Sequence, residues 1–157
     1  VANCNPATNL ATTATATSNG GGSGSLGPDN MNDGYPEASC SAQGWHWITA
    51  GSSSGTAYAQ LEWTTARTVG RIVIDTAACT VAGCGVLAGR TVAGGTIQWW
   101  NGTSWVTAGT VSAKTTDWTF TFPSPVSTTR VRVYGLHAAS CGYATNPIVY
   151  EFQAFGC

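Results

Sequence analysis

One short stretch of the sequence is rich in oxygen donors for a cation. Residues 29–35 read DNMNDGY, and Gly34 permits a sharp bend in the backbone. Calcium takes about six to eight oxygens from carboxylates and loop carbonyls, so this composition suits it. An Asx turn at Asp33 without any ion explains the same residues, and the loop by itself favours that simpler interpretation.

Three other segments supply, between them, the aromatic rings and hydrogen-bonding side chains that sugar-binding sites use. Residues 45–47 read WHW, and in an extended chain the two indoles share one face while His46 points to the other. Arg90 supplies a planar fork of N–H donors from a long loop. Tyr143 and Asn146 lie together in a loop near the C-terminus. These side chains are candidates for contacts with a glycan.

Each of these candidates also has a structural explanation. A tryptophan in a small sandwich packs in the core more often than it contacts a ligand. We therefore assign Trp45 to the core and keep Trp47 as a candidate ligand contact. Arg90 can instead hydrogen-bond a loop carbonyl, and His137 can be a structural histidine.

The acidic residues do not suggest a catalytic pair. A glycosidase needs two carboxylates that face one scissile bond. Seven acidic residues are spread thinly along this chain, and Glu62 and Asp75 fall in different predicted strands. No phosphate-binding loop motif occurs either. We expect a binding protein, and an enzyme of unrecognised type is the alternative.

Composition restricts the class of partner. Hydrophobic residues make up 43% of the 157 residues, enough for one packed core, so we expect a single domain over residues 1–157. Only 8% of the residues are charged and the net charge is −1, so we expect no attraction to nucleic acid or to an anionic membrane. A surface of Ser, Thr, Asn and Gly suits an extracellular protein that contacts hydroxyl-rich ligands.

The six cysteines point to disulfides and to an oxidising compartment, because no zinc-like spacing is present. About 15 pairings are possible. We predict three bridges from chain position, since termini tend to lie close together and a short loop closes on itself: Cys4 with Cys157, Cys79 with Cys84, and the remaining Cys40 with Cys141. No apolar run reaches the roughly 20 residues of a membrane helix. With no signal peptide left at Val1, we expect a mature secreted chain.

The elements that must position these residues are strands. Apolar and polar residues alternate in residues 58–63, 118–122 and 130–134. Residues 71–75 and 148–155 are β-branched or apolar runs. Since no segment has a helical period, the pattern predicts an all-β, antiparallel β-sandwich or barrel.

A hairpin is predicted where residues 96–100 and 105–108 flank an Asn101-Gly102 turn. The strand period places Trp99 inward and Trp100 outward, where Trp100 can pack on its own hairpin. Trp63 and Trp118 are expected in or beside the core.

Four stretches of the sequence, taken in order, carry a resemblance. They are residues 9–17, residues 32–34 with Trp45, residues 60–63 with 67–74, and the closing segments 130–133 and 150–156. Together they resemble the discoidin family, also called coagulation-factor type C domains, and its relatives the family 32 carbohydrate-binding modules. The resemblance implies a galactose-binding-domain-like fold, a distorted jelly-roll sandwich whose first and last strands are joined.

The same resemblance implies a structural calcium and a sugar site. Asp33 and Glu151 match the loop aspartate and the C-terminal glutamate that hold calcium in such modules. The carbonyls of Asn30 and Tyr35, together with Ser39, would complete the shell. The His, Arg and aromatic residue that contact the sugar, at one end of the sandwich, are matched by His46, Arg90 and Tyr143.

We therefore expect a non-catalytic carbohydrate-binding or lectin-like domain. It would recognise a glycan or polysaccharide, either as a monomer or as a module attached to a larger secreted protein. The alternative within the family is an extracellular protein- or surface-adhesion domain. Six Lys and Arg residues without a basic cluster argue against adhesion to anionic lipid.

Overall fold

The computed structural model describes residues 8–19, 27–34, 46–47, 56–76, 92–112, 118–138 and 147–156. Within these ranges the secondary structure is almost entirely extended, with two single 3-10 turns, Leu10–Thr13 and Pro28–Met31, and no α-helix. Seven strands lie in the described part of the chain: β1 (Thr15–Ser18), β2 (His46–Trp47), β3 (Tyr58–Thr76), β4 (Val92–Trp100), β5 (Trp105–Ser112), β6 (Trp118–Ala138) and β7 (Ile148–Gly156). All of their pairings are antiparallel.

Two long strands, β3 and β6, pass through both layers of the fold. The first part of β3, residues 58–62, pairs with β1 and with residues 130–134 of β6, and this part of β6 pairs with the β4–β5 hairpin. The second part of β3 pairs with the start of β6 and with β7, and β7 pairs with β2. A register shift between Glu62 and Arg67 separates the two parts. We call the layer formed by β1, β4, β5 and the adjoining parts of β3 and β6 the first sheet. The layer formed by β7, β2 and the other parts of β3 and β6 is the second sheet.

Buried side chains from both sheets form one hydrophobic cluster. Leu61, Ile97 and Val131 come from the first sheet, and Ile72 and Phe152 come from the second. A direct contact shows that the sheets face each other, because a Cβ built on Gly109 of β5 would lie 2.5 Å from a ring carbon of Phe120 of β6. The predicted antiparallel β-sandwich is therefore confirmed.

The predicted alternation of aromatic residues is also confirmed. Trp118, Phe120 and Phe122 lie on one face of β6, where the Phe120 ring contacts both of the others, at centroid distances of 6.5 Å and 5.1 Å. Trp63 and Trp118 are buried, as expected.

Two sequence predictions differ from the structure. Residues 58–63 and 71–75 were expected as separate strands joined by a polar turn, but they form the single strand β3, and the same holds for residues 118–122 and 130–134 in β6. The residues between remain extended, and those of β3, residues 64–68, are exposed, while register shifts bend the strand. The resemblance of residues 9–17 implies an opening strand there, but the strand begins only at Thr15, because the Asn9 side chain caps a 3-10 turn by accepting the Ala11 N–H at 3.0 Å.

The predicted hairpin turn is confirmed. Asn101 Oδ1 accepts the backbone N–H groups of Thr103 and Ser104 at 3.0 Å and 2.9 Å, and Gly102 adopts a φ of +103°. Trp100 packs edge-to-face on Trp105 of the same hairpin, with ring centroids 5.5 Å apart. Trp99 packs against the core.

The two ends of the described chain meet. Asn9 forms an isolated bridge with Phe155, and its Oδ1 accepts the Ala154 N–H at 3.2 Å. All six cysteines lie outside the described residues, so the three predicted bridges stay predictions. In the part of the chain that is described, no helix has the length and apolar character needed to cross a membrane.

Candidate functional site

The oxygen-rich loop is held against the first 3-10 turn by Asn32. This side chain is buried, and its amide donates to the carbonyl oxygens of Ala11 and Ala14, both at 2.8 Å. Asn32 was not a predicted site residue, although its place between Met31 and Asp33 in an Asn-rich loop was visible in the sequence. Its two hydrogen bonds fix the backbone that presents Asp33.

Gly34 then turns this loop toward β7. Its φ of +87° lies in the left-handed region that favours glycine, as the sequence predicted. The Gly34 N–H donates to Glu151 Oε1 at 3.1 Å, which joins residues that are far apart in the sequence. The loop and the last strand therefore meet at Glu151.

Glu151 is a completely buried carboxyl group. Its Oε2 has no hydrogen-bond partner among the described residues. Burial, together with the charge of the nearby Asp33 carboxyl and a hydrogen bond to it, raises the pKa of Glu151 to about 8, although the hydrogen bond from the Gly34 N–H acts in the opposite direction. Asp75, which pairs with Glu151 across β3 and β7, adds a smaller increase.

This arrangement fits a bound cation better than acid–base chemistry. A cation would pair with Oε2 and relieve the repulsion between two carboxylates. The Glu151 carboxyl group is fully buried, whereas a glycosidase needs both of its carboxylates to face the scissile bond. No cluster of three or more His, Cys, Asp or Glu among the described residues is arranged to hold a metal. A cation here would therefore also need loop carbonyl oxygens.

The structure brings together two of the five predicted calcium ligands. Asp33 and Glu151 are neighbours. Asn30 lies in the Pro28–Met31 turn, which precedes Asp33 in the sequence. Tyr35 and Ser39 lie outside the described residues. The complete ligand set stays a prediction.

Of the predicted sugar contacts, the structure places only the backbone of His46 and Trp47. They form β2 and pair with Val149 and Ile148, at the beginning of β7. Arg90, Tyr143 and Asn146 lie outside the described residues, so their convergence with His46 stays a prediction.

One buried hydroxyl fixes the end of the sandwich from which these loops depart. Thr76, at the end of β3, donates to the Ile148 carbonyl and accepts the Val92 N–H, both at 2.9 Å. The ends of the segments that carry Arg90, Tyr143 and Asn146 are thus held together, next to β2. We call this end the rim. A threonine that ends a β-branched strand gives no sequence signal for this role.

His137 lies at the rim as well. Its ring is exposed at the end of β6, with Nδ1 3.2 Å from the Gly135 carbonyl oxygen. A Cβ on Gly94 would approach the ring to 2.4 Å, so glycine provides the space that the imidazole occupies. His137 is therefore packed on the strand beside it, as a structural histidine is, while part of its ring faces solvent.

No protein-family model and no curated protein matches the chain. Solved structures do match, at low identity. The family 32 carbohydrate-binding module of EndoD from Streptococcus pneumoniae has a TM-score of 0.71 and 18% identity, over 96% of this chain and 100% of that one. The family 32 module of NanJ from C. perfringens, solved with galactose, has a TM-score of 0.69 and 15% identity, over 94% and 98% of the two chains.

A third match is chitosan-binding module 1 of a chitosanase/glucanase from Paenibacillus sp. IK-5. Its TM-score is 0.68 and its identity 19%, over 95% of this chain and 99% of that one. Each alignment spans both sheets and nearly the whole of both chains. The chain therefore has the discoidin-like, galactose-binding-like β-sandwich fold of the family 32 carbohydrate-binding modules.

Proposed function

We propose that this domain is a non-catalytic carbohydrate-binding module that recognises a glycan at the rim. The observation that carries the proposal is the Thr76 junction, which gathers β2 and the ends of the loops that bear the polar and aromatic candidates. The solved neighbours support it, since one is a family 32 module in complex with galactose and another is in complex with 4,5-unsaturated mannuronic acid.

Each rim residue has a role that its chemistry allows. Arg90, His46 and Asn146 hydrogen-bond sugar hydroxyls, while Trp47 and Tyr143 pack against the C–H face of the ring. A shallow site of this kind binds with a Kd between micromolar and millimolar, about −4 to −8 kcal/mol.

The proposal includes a structural calcium beneath the rim. Asp33 and Glu151 supply carboxylate oxygens, and Asn30, Tyr35 and Ser39 supply the remaining oxygens. The buried Glu151 oxygen, which has no hydrogen-bond partner in the described part of the chain, supports this assignment. The ion would tie the loop to β7, next to the paired residues Val149 and His46.

We further propose that the domain acts outside the cell, alone or as part of a larger secreted protein. The cysteine content favours an oxidising compartment. One solved neighbour, SpGH29, is a much longer chain of which this chain covers 28%. That size difference supports an attached module that brings its parent protein to a polysaccharide.

A glycan array and affinity electrophoresis across plant, algal and animal polysaccharides test the rim. We expect retention on at least one glycan, and at least tenfold weaker binding after Arg90→Ala or His46→Ala. Arg67→Ala is the matched control, because Arg67 is exposed at the bend of β3, far along that strand from Thr76.

Two results would count against the proposal. If the domain binds none of the glycans but captures extracellular matrix proteins, the adhesion alternative is favoured. Equal loss in Arg67→Ala and Arg90→Ala would show that binding does not take place at the rim.

A further inference from the structure

The outward face of the first sheet carries a cluster that the rim does not explain. It contains Tyr58, Gln98, Trp105, Arg132 and Tyr134, which come from four adjacent strands. All five side chains are half-buried, while Val131 and Val133, which alternate with Arg132 and Tyr134 along β6, are buried in the core. We call this cluster the Arg132 platform.

Arg132 lies at the centre of the platform, surrounded by rings. Its guanidinium carbon is 3.9 Å from the centroid of Trp105, 4.5 Å from that of Tyr134 and 6.0 Å from that of Tyr58. Its Nε donates to Gln98 Oε1 at 2.9 Å. These contacts fix the guanidinium plane, so little of its freedom remains to be lost when a ligand binds.

The positive charge of Arg132 has no carboxylate partner among the described residues. The neighbouring Arg130 differs, because its Nε forms an ion pair with Glu62 Oε1 at 2.9 Å. Partial burial lowers the pKa of Arg132, and the guanidinium nevertheless stays protonated at any physiological pH. Among the described residues, the platform therefore presents one oriented positive charge without a carboxylate beside it.

The terminal nitrogens of Arg132 make no hydrogen bond to another described residue. They offer a planar pair of donors that matches the two oxygens of a carboxylate or of a sulfate. The half-exposed rings of Tyr58 and Tyr134 lie beside this fork and can pack against the C–H face of a sugar. The face is a sheet surface that crosses four strands spaced by about 4.8 Å, so it can accept an extended chain.

We propose that the Arg132 platform is a second binding surface, which takes an anionic polysaccharide whose sugars carry carboxylate or sulfate groups. Arg132 binds the acidic group, and the tyrosine rings hold the sugar that bears it. The platform lies on the outward face of the first sheet rather than at its end, and the proposal does not depend on the function proposed for the rim. The net charge of −1 gives little long-range attraction, so recognition is local.

The test uses the whole domain with oligogalacturonate as the carboxylated probe and a chondroitin sulfate oligosaccharide as the sulfated one. Nuclear magnetic resonance should show shifts of the Arg132 Nε–H and Trp105 indole N–H signals on titration with at least one of them. The two probes distinguish carboxylate from sulfate. Binding should weaken as salt is raised.

Variants separate the platform from a general charge effect. We expect Arg132→Gln to weaken binding at least tenfold and Arg132→Lys to lose part of the affinity, because lysine keeps the charge without the fork. The control Arg67→Gln removes the same charge from the exposed bend of β3 and should change binding less than twofold. Thermal unfolding confirms that each variant is folded.

Three outcomes would overturn the proposal. They are signal shifts confined to the rim, an affinity unchanged in folded Arg132→Gln, and no binding of either probe to the wild-type domain. None of these outcomes decides whether the rim binds a glycan, because that proposal is tested separately with Arg90→Ala and His46→Ala on the glycan found by the array. A purely structural role for Arg132 predicts a lower melting temperature in Arg132→Gln with no probe bound by the wild type.

Discussion

At Glu151, burial and a neighbouring carboxyl group act on the pKa in the same direction. The folded protein holds a proton there up to a pH of about 8, whereas an unfolded glutamate releases it near its ordinary pKa of about 4.3. Between these values the folded state binds more protons than the unfolded state. The stabilising contribution is therefore complete below the unfolded pKa and is lost as the pH rises through the folded pKa.

This difference predicts how metal-free stability depends on pH. In chelator, the free energy of unfolding of the wild type should fall between pH 5 and pH 8 by at most about 1.4 kcal/mol per pH unit. Glu151→Gln should flatten this slope, because the amide does not ionise. Urea unfolding at a series of pH values measures both proteins.

Calcium should reverse the trend, since the ion requires the ionised carboxylate. Its stabilising effect should grow with pH in the wild type and disappear in Glu151→Gln. Glu62→Gln is the control, because Glu62 is a half-exposed carboxyl group on the first sheet. If calcium stabilises the wild type, Glu151→Gln and Glu62→Gln equally, it does not bind at the proposed site.

At the scale of elements, close approach between the sheets determines which side chains fit. Gly109 on β5 meets the Phe120 ring, and any larger residue there must displace it. Strand pairing alone does not show this requirement. It follows from packing one sheet on the other.

Gly109→Ala should therefore destabilise the domain by about 1–3 kcal/mol, through overpacking. Phe120→Leu in the same chain should recover part of the loss, because the smaller side chain leaves room for the new methyl group. Thr110→Ala, at an exposed position of β5, is expected to change stability by less than about 0.5 kcal/mol. Additive losses in the double variant would contradict this contact.

Strand periodicity and turn chemistry made much of the fold predictable. The alternation in β6 and the Asn101-Gly102 turn are local signals, and both were correct. The continuity of β3 was not predictable, since residues 64–68 read as a polar turn. They stay extended because β6 bends with them, which is a property of the pair of strands rather than of either sequence.

At the scale of the whole molecule, the site depends on contacts between distant parts of the chain. Asp33 and Glu151 were predicted as partners from the resemblance, and the structure places them side by side. Thr76 and Asn32 were missed, because their roles arise only when the loop ends and the first 3-10 turn are folded against them. The Arg132 platform was missed for a similar reason, since its residues come from four strands.

Thr76→Val tests how strongly the rim depends on its junction. The variant keeps the shape of the side chain but leaves the Val92 N–H and the Ile148 carbonyl without their partner. We expect a loss of about 1–3 kcal/mol in stability and weaker glycan binding at the rim. Probe binding at the Arg132 platform should remain, and its parallel loss would show that the variant affects the whole fold.

Sharing β3 and β6 between the sheets has a mechanical consequence. Both layers contain parts of β3 and β6, so the hydrogen-bonded pair of these two strands connects one layer to the other. Tension on a polysaccharide held at the flat outer face would pass along the same two strands to the opposite layer. We therefore expect a pulling force on one layer to be carried by both.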